Sequence, residues 1–213
     1  MTFSLKRKNE NLKIEWNNKK IIIEFTVSLL ILVVTMLTFS HFTVFIEARR
    51  GFQFNDPFLS IFQAIDLTNY IFVFIYGAIL FAISFLIVFP DRLIILFEAY
   101  TLMVLIRILM MYVLPLSPPP GMILLQDPFV EFFGKGKTLV NDLFFSGHTA
   151  TMFLLFLTVP ERIKKHFFMI FIAVASGVLL QKVHYTVDVL VAPFISFASY
   201  RIVKYFRRIY LKN

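Results

Sequence analysis

The chain lacks cysteine, which excludes disulfide bonds and thiolate metal sites. It also lacks a dense cluster of carboxylates, so we expect no metal and no other cofactor. No DNA- or RNA-binding motif accompanies the net charge of +8, so we expect no nucleic-acid partner. The first apolar stretch has no Ala-x-Ala cleavage site and exceeds the roughly 7–15 apolar residues of a signal peptide, so we interpret it as an uncleaved anchor.

Apolar residues are abundant: 59% of the 213 residues are hydrophobic, and 28 residues are Phe. Several runs approach the roughly 20 apolar residues that cross a bilayer. We therefore predict an all-α integral membrane protein, a bundle of six transmembrane helices. The predicted spans are 21–39, 68–89, 93–114, 145–160, 167–183 and 185–205. The predicted organisation is a basic segment at 1–20, a six-helix membrane domain at 21–206 and a tail at 207–213.

The basic residues are distributed asymmetrically along this pattern. With six spans, one side of the membrane receives Lys6, Arg7, Lys8, Lys13, Lys19, Lys20, Arg92, Arg162, Lys164, Lys165, Arg201, Lys204, Arg207, Arg208 and Lys212. The loops of the other side carry only Arg49, Arg50, Lys135 and Lys137. Because cytoplasmic loops are rich in Lys and Arg, we predict that both termini are cytoplasmic. We therefore interpret the excess of Lys and Arg as a topology signal and as a source of attraction to anionic lipid headgroups.

Two short polar clusters stand at the outer ends of apolar segments. Residues 142–149 read Asp-Leu-Phe-Phe-Ser-Gly-His-Thr, and residues 184–188 read His-Tyr-Thr-Val-Asp. Counted from the inner end of each helix at 1.5 Å per residue, Arg107, His148 and His184 lie about 22, 18 and 25 Å away. All three therefore lie towards the outer surface, although they come from different helices. Ionisable groups at membrane depth are costly and indicate function.

These residue types suit phosphoryl transfer. His184 and Asp188 are four residues apart and share a helix face, so the carboxylate can fix the imidazole tautomer and leave the other nitrogen as a nucleophile. A protonated His148 can give its proton to a leaving alkoxide. Backbone N–H groups at Ser146 and Gly147, at a helix start, can bind phosphate oxygens. Arg107 supplies a fixed cation.

Each of these features alone has a plainer interpretation. A His-x-x-x-Asp pair is common on helices, and Arg107 or Lys182 can extend its charged group to the membrane interface. The joint occurrence of two histidines, one aspartate and one arginine on one side and at one depth favours a site.

The motifs resemble those of a known family. His-Tyr-Thr-Val-Asp-Val-Leu-Val-Ala at 184–192 closely resembles the last motif of the sphingomyelin synthases, and residues 142–149 resemble their preceding motif, Asp-x-x-Phe-Ser-Gly-His-Thr. Their arginine-containing motif resembles Arg107, Met111, Tyr112, Val113 and Pro115. The resemblance covers about residues 50–205. The family is similar in turn to the type-2 phosphatidic acid phosphatases, whose Ser-Gly-His and His-x-x-x-Asp elements serve the same roles.

The resemblance implies specific roles. His184 would be the nucleophile, Asp188 its orienting partner, and His148 the general acid and then the general base. The family moves a headgroup phosphate from a phospholipid to ceramide and releases diacylglycerol, which makes membrane lipids the expected partners. Positions in or beside the motifs that are candidates for supporting roles are Asp142, Tyr112, Tyr185 and Lys182. We expect the site on the extracytoplasmic side, which is the outer face of the inner membrane in a bacterium.

The chain also departs from both families. Val140 and Asn141 replace a Cys-Gly pair of the synthases, Lys182 is basic where the synthases are not, and Leu114 precedes Pro115 where the phosphatases have Arg-Pro. We expect a phosphotransferase with ceramide or diacylglycerol as acceptor. The alternatives are a lipid phosphate phosphatase or phospholipase C-like hydrolase that uses water, and a non-catalytic lipid-binding protein. Headgroup and oligomeric state are left open by the sequence.

Overall fold

The structure is a computed structural model that describes residue 16, residues 18–125 and residues 140–210. In these residues the chain forms six α-helices: α1 (Lys19–Glu47), α2 (Thr68–Leu86), α3 (Pro90–Val113), α4 (Gly147–Thr158), α5 (Glu161–Leu180) and α6 (Thr186–Tyr210). A 3₁₀ turn at Leu59–Ile61 lies in the first long loop. The prediction of an all-helical fold is confirmed. Most of the predicted basic segment and residues 211–213 lie outside the described residues, and the predicted boundary at 206 falls inside α6.

Five of the six helices are long and apolar enough to cross a membrane, so the chain is a multi-pass membrane protein. The exception is α4, which has 12 residues and a length of about 18 Å, against a hydrocarbon core of about 30 Å. Its predicted range of 145–160 was too long at both ends. Ser146 caps the helix start, and Val159 is extended because it precedes Pro160. A sixth crossing and cytoplasmic termini therefore stay predictions.

The helices pack around α3 and α6. Helix α3 lies against α1 and α6, α4 lies against α5 and α6, and α2 packs on α5. Alanines occupy close approaches, with Ala99, Ala150 and Ala192 fully buried. Small residues allow helix backbones to approach closely in membranes, where packing rather than the hydrophobic effect holds helices together.

An ion cluster joins three helices at the end of the bundle where α1 and α3 begin and α6 ends. Arg207 of α6 donates to Glu24 of α1 at 2.7 Å and to Glu98 of α3 at 2.9 Å. Ser28 adds a hydrogen bond to Glu98 at 3.1 Å. All three charged side chains are less than one-third exposed, so this cluster fixes α1 to the rest of the bundle.

At the opposite end of the bundle, the loops fold over the turn between α5 and α6. Phe52 forms a β-bridge with Leu116, and Gly51 lies so close to the Leu116 backbone that a Cβ would have no room there. Gln181, which is fully buried, bonds the start of α2 and the second loop through its side-chain amide. The hydroxyl of Tyr185 donates to the Ser117 carbonyl at 2.9 Å. These contacts anchor the loops beside both histidine motifs.

Candidate active site

The start of α4 places the first histidine. The Ser146 hydroxyl accepts a hydrogen bond from the Thr149 amide, as an N-cap does, and so defines where the helix begins. His148 is then in the first turn of α4, among backbone N–H groups that have no partner within the helix. The first turn therefore combines an imidazole with an electropositive helix end.

The start of α6 places the second histidine and the aspartate. Asp188 accepts a hydrogen bond from the Tyr185 amide at 3.0 Å, the return half of a capping box. This bond holds the carboxylate beside His184, with Asp188 Oδ2 at 3.5 Å from His184 Nδ1. That distance exceeds the usual 2.7–3.2 Å of an N–H···O bond, so the two groups are aligned without being hydrogen-bonded. Both residues are buried, with exposures of 1% and 0%.

The two motifs meet in space. The His148 and His184 ring centroids are 6.2 Å apart, with an angle of 61° between the ring planes. Two contacts link the helices that carry them: the Ser146 amide donates to the Asp188 carbonyl at 3.2 Å, and Ser196 donates to the Ala150 carbonyl at 2.9 Å. A group the size of a phosphate can bridge rings at this separation.

His184 is held in its neutral form. Burial lowers its pKa well below the usual 6.5, and the positive charges of Arg107 and His148 lower it further. The Asp142 charge and a hydrogen bond to the Leu143 backbone act in the opposite direction but do not offset burial. A neutral imidazole keeps a lone pair available, which a nucleophile requires.

Arg107 reaches the site from α3 and is bound there by the segment before α4. Its Nε and Nη2 donate to Asp142 Oδ1 at 3.2 and 2.8 Å, Nη2 also donates to the Asp142 carbonyl, and Nη1 donates to the Phe145 carbonyl. A guanidinium has five N–H groups, and the described residues accept hydrogen bonds from four of them. The fifth N–H is on Nη1. Asp142, expected as a supporting residue, is thus the partner that orients Arg107.

Gly147 lies directly against this guanidinium. A Cβ at this position would stand 2.9 Å from Arg107 Nη1 and 3.1 Å from its Cζ. Any side chain would therefore displace Arg107. The contact gives the glycine of the Ser-Gly-His motif a steric role beside the phosphate-binding role predicted for it.

Ser146 departs from its expected role. The residue is fully buried, its amide donates to Asp188 and its hydroxyl caps α4. A phosphate cannot use that amide while the bond to Asp188 is present. The predicted contact therefore falls to other groups of the helix start, such as the Gly147 amide.

The remaining supporting candidates lie around the site rather than in its centre. Tyr112 is 56% exposed, and its ring lies under the Arg49 guanidinium. Tyr185 is buried, stacks on Phe54 and bonds Ser117, so its contacts are structural. Lys182 has a positive φ of 56°, and its ammonium lies over the Phe62 ring. No contact places Tyr112 or Lys182 against the histidines in the part of the chain that the structure describes.

Two carboxylates that were not among the predicted site residues, Asp56 and Glu47, hold the segments around the site. Asp56 is buried, accepts from the Thr186 amide at 2.7 Å and from the Thr186 hydroxyl at 3.1 Å, and so caps α6 from the loop between α1 and α2. Burial raises the pKa of Asp56, but hydrogen bonds from Thr186, Leu59 and Phe58 outweigh it and the net pKa is lowered. The available sequence signal was the turn sequence Asn55-Asp56-Pro57, which ends two residues before the 3₁₀ segment.

Glu47, at the end of α1, accepts from the Val140 and Asn141 amides, both at 3.0 Å. It thereby fixes the segment that carries Asp142. Among the described residues, no group of three or more His, Asp or Glu side chains is arranged to hold a metal ion.

Comparison with known proteins gives one match. A family model described as "PAP2 superfamily C-terminal" matches residues 140–205. The matched segment contains both histidine motifs and makes up less than half of the chain. The match supports the predicted relation to the phosphatase superfamily, and with it a lipid phosphatase or phosphotransferase in a membrane. No curated protein and no solved structure matched the chain.

Proposed function

We propose that this protein is a membrane phosphotransferase that moves a phospholipid headgroup phosphate to a lipid hydroxyl, that of ceramide or diacylglycerol, through a phosphohistidine. The observation that carries the proposal is the pair of imidazole rings of His148 and His184, whose centroids are 6.2 Å apart. Asp188 lies beside the His184 ring, and Arg107 lies against Gly147 at the start of the helix that carries His148. The family match over both motifs supports phosphoryl chemistry, and the resemblance to the sphingomyelin synthases supports a lipid acceptor.

In the first step, neutral His184 attacks the phosphorus of the donor lipid. A nitrogen–phosphorus bond forms as the bond from phosphorus to the diacylglycerol oxygen breaks. Attack requires the proton of His184 on Nδ1, facing Asp188, and the loss of its bond to Leu143, so that the other ring nitrogen meets the substrate. The carboxylate then stabilises the positive charge that the ring acquires.

His148 handles the leaving group. Its imidazolium donates a proton to the diacylglycerol oxygen, which departs as a neutral hydroxyl. The remaining Nη1 N–H of Arg107 and the amides of the first turn of α4 meet the phosphate oxygens, where negative charge develops. Because Asp142 partly neutralises Arg107, we expect the helix start to supply an essential share of this stabilisation.

In the second step, His148, now neutral, accepts the proton of the acceptor hydroxyl. The acceptor oxygen bonds to phosphorus as the nitrogen–phosphorus bond breaks, and both histidines return to their initial protonation states. The net reaction exchanges one lipid alcohol for another and needs no further reactant.

A second candidate is a hydrolase of the same architecture, a lipid phosphate phosphatase or phospholipase C-like enzyme. The match to a phosphatase superfamily favours it. Water would replace the lipid acceptor in the second step, and the first step would be unchanged. A non-catalytic lipid-binding protein is the third candidate.

We also propose that the site faces the extracytoplasmic side. The histidines lie at the end of the bundle opposite the ion cluster of Arg207, and the basic loops stand at that cluster's end. The positive-inside rule then assigns the histidine end to the outside. This orientation can be tested with single cysteines, because the chain has none of its own. Intact cells that carry Ser60→Cys or Lys164→Cys are treated with a membrane-impermeant thiol reagent. Ser60→Cys should react and Lys164→Cys should not.

The purified protein should be incubated with a mixed phospholipid extract and ceramide or diacylglycerol, with products identified by mass spectrometry. A new lipid that carries the headgroup supports transfer. Inorganic phosphate or free phosphorylated headgroup as the sole product overturns transfer in favour of hydrolysis. Acid-labile phosphate on the protein should appear with either acceptor.

The matched controls are histidine variants. His184→Ala should lose both the acid-labile phosphate and turnover, whereas His41→Ala, which alters an exposed histidine bonded to the Leu37 carbonyl of its own helix, should retain both. Unchanged biological activity in both His184→Ala and His148→Ala would support the non-catalytic candidate and refute an enzymatic role.

A further inference from the structure

An elongated cavity of about 520 Å³ adjoins the proposed site. Its walls come from α1, α2, α3 and the start of α4, and its lining is almost entirely apolar. The lining residues with charged or imidazole side chains, Arg107, Asp142 and His148, reach the cavity at one end. The cavity therefore joins an apolar chamber to an anion-binding mouth.

The cavity extends from that mouth towards the inside of the membrane. On α3 it is lined from Arg107 to Tyr100, seven residues or about 10 Å apart along the axis. On α1 it is lined from Thr43, near the outer end, to Leu32. On α2, which runs inward, its deepest lining residue is Ile79. Leu32, Ile79 and Tyr100 therefore mark the deep end.

One wall of the cavity is open to lipid. Helix α1 packs along α3, but in the described part of the chain α1 and α2 are not packed against each other. Most of the surface of α1 faces outward, because only 11% of an apolar stretch of 18 residues in this helix is buried. A lipid chain can therefore enter sideways, between α1 and α2, without leaving an apolar environment.

We propose that this cavity binds one hydrocarbon chain of the lipid phosphoester, and that Leu32 and Ile79 at its deep end limit the length of chain that fits. The proposal rests on the proposed function, because the phosphate of that lipid must reach His148 and Arg107. A methylene group occupies about as much space as a water molecule, roughly 30 Å³, so 520 Å³ holds about 17 such groups. That is one chain of a membrane lipid and not two.

Ile79→Trp and Leu32→Trp test the proposal, since each fills the deep end. The matched controls are their neighbours, Leu80→Trp and Ile31→Trp, which alter exposed residues outside the cavity lining. Turnover of dioctanoyl and dipalmitoyl phosphatidic acid should be compared in mixed micelles. We expect the deep-end variants to lose about tenfold or more of the long-chain rate while keeping the short-chain rate, and the control variants to keep the wild-type ratio of rates.

Binding provides a readout that does not depend on catalysis. In a His184→Gln background, the affinity for dipalmitoyl phosphatidic acid should fall with Ile79→Trp and remain unchanged with Leu80→Trp, whereas the affinity for dioctanoyl phosphatidic acid should remain unchanged with both. Absence of turnover in every protein, with this binding pattern intact, would overturn the proposed function and retain the chain site. Equal loss of both lipids, or equal effects of the paired variants, would overturn the chain site.

Discussion

Replacement of Gly147 by alanine should separate activity from folding. The added Cβ would stand 2.9 Å from Arg107 Nη1, whereas nonbonded carbon contacts are most favourable at about 3.5–4.0 Å. Relief of this clash requires the guanidinium to move by roughly 0.5–1 Å. Arg107 cannot yield freely, because Asp142 and the Phe145 carbonyl hold it on the other side.

The expected loss follows from that displacement. A shift of about 1 Å in a group that stabilises the transition state costs about 100-fold in rate, or about 2.7 kcal/mol in the barrier. Stability should change much less, because alanine in place of glycine in a helix gains up to about 1 kcal/mol, which offsets part of the strain. We therefore expect kcat to fall about 100-fold with a nearly unchanged midpoint of thermal unfolding.

Two other glycines provide controls for this prediction. At Gly77 a Cβ would meet nothing within 4 Å, and at Gly177 it would stand 3.0 Å from Ile71 Cγ1 in the packing of α5 on α2. Gly77→Ala should be neutral in both assays, and Gly177→Ala should alter unfolding without a selective loss of turnover. Turnover is measured on phosphatidic acid or a phospholipid donor in micelles. A folded Gly147→Ala protein with more than about a third of the wild-type rate would refute the argument.

Three further predictions concern stability, each measured by unfolding in detergent. Because the pKa of buried His184 lies well below 6.5, the unfolded chain takes up a proton below pH 6.5 that the folded chain does not. The free energy of unfolding should therefore fall below pH 6.5 by about 1.4 kcal/mol per pH unit for this group. His184→Gln should flatten that slope. Arg207→Met leaves Glu24 and Glu98 without their counter-charge and should cost about 1–3 kcal/mol of stability, part of which Glu24→Gln should restore. Loss of the exposed Lys164–Glu161 pair should cost almost nothing. Equal effects of the two changes would contradict the structural role of the cluster. Asp56→Ala removes the cap of α6 and should cost about 0.5–2 kcal/mol, more than Asp56→Asn, and a neutral result would remove its structural role.

Spacing along the chain and counting from the helix ends indicated which residues could meet, and their roles stay predictions. The four-residue spacing of His184 and Asp188 indicated a pair, and the two side chains do lie together, although His184 lies in the turn two residues before α6 and not on the helix. The depth of Arg107 in the membrane stays a prediction. These inferences depend on helical geometry, which the sequence of a single element determines. The approximate positions of the five long helices were predicted because a long apolar run in a membrane has almost no other structure available, although α1 extends eight residues beyond its predicted end at 39.

Contacts through the loops could not be predicted in this way. Arg107 and Asp142 are separated by 35 residues, and Glu47 and Asn141 by 94. No repeating pattern in the sequence relates such positions, because each contact depends on the path of an irregular loop. The same limit applies to Ser146, whose amide binds the carbonyl of a residue on another helix.

The shortness of α4 determines how water reaches the site. In the proposed topology, a helix of about 18 Å whose C-terminal end lies at the inner surface has its N-terminal end roughly 12 Å short of the outer boundary of the hydrocarbon core. The irregular backbone that continues from it, with Leu143 and Phe145 buried, must then be enclosed by protein, since exposed peptide groups are not tolerated at that depth. In that arrangement the histidines would occupy a recess with little bulk solvent. The proposed phosphotransferase reaction would then favour a lipid alcohol arriving from the side over water as the acceptor.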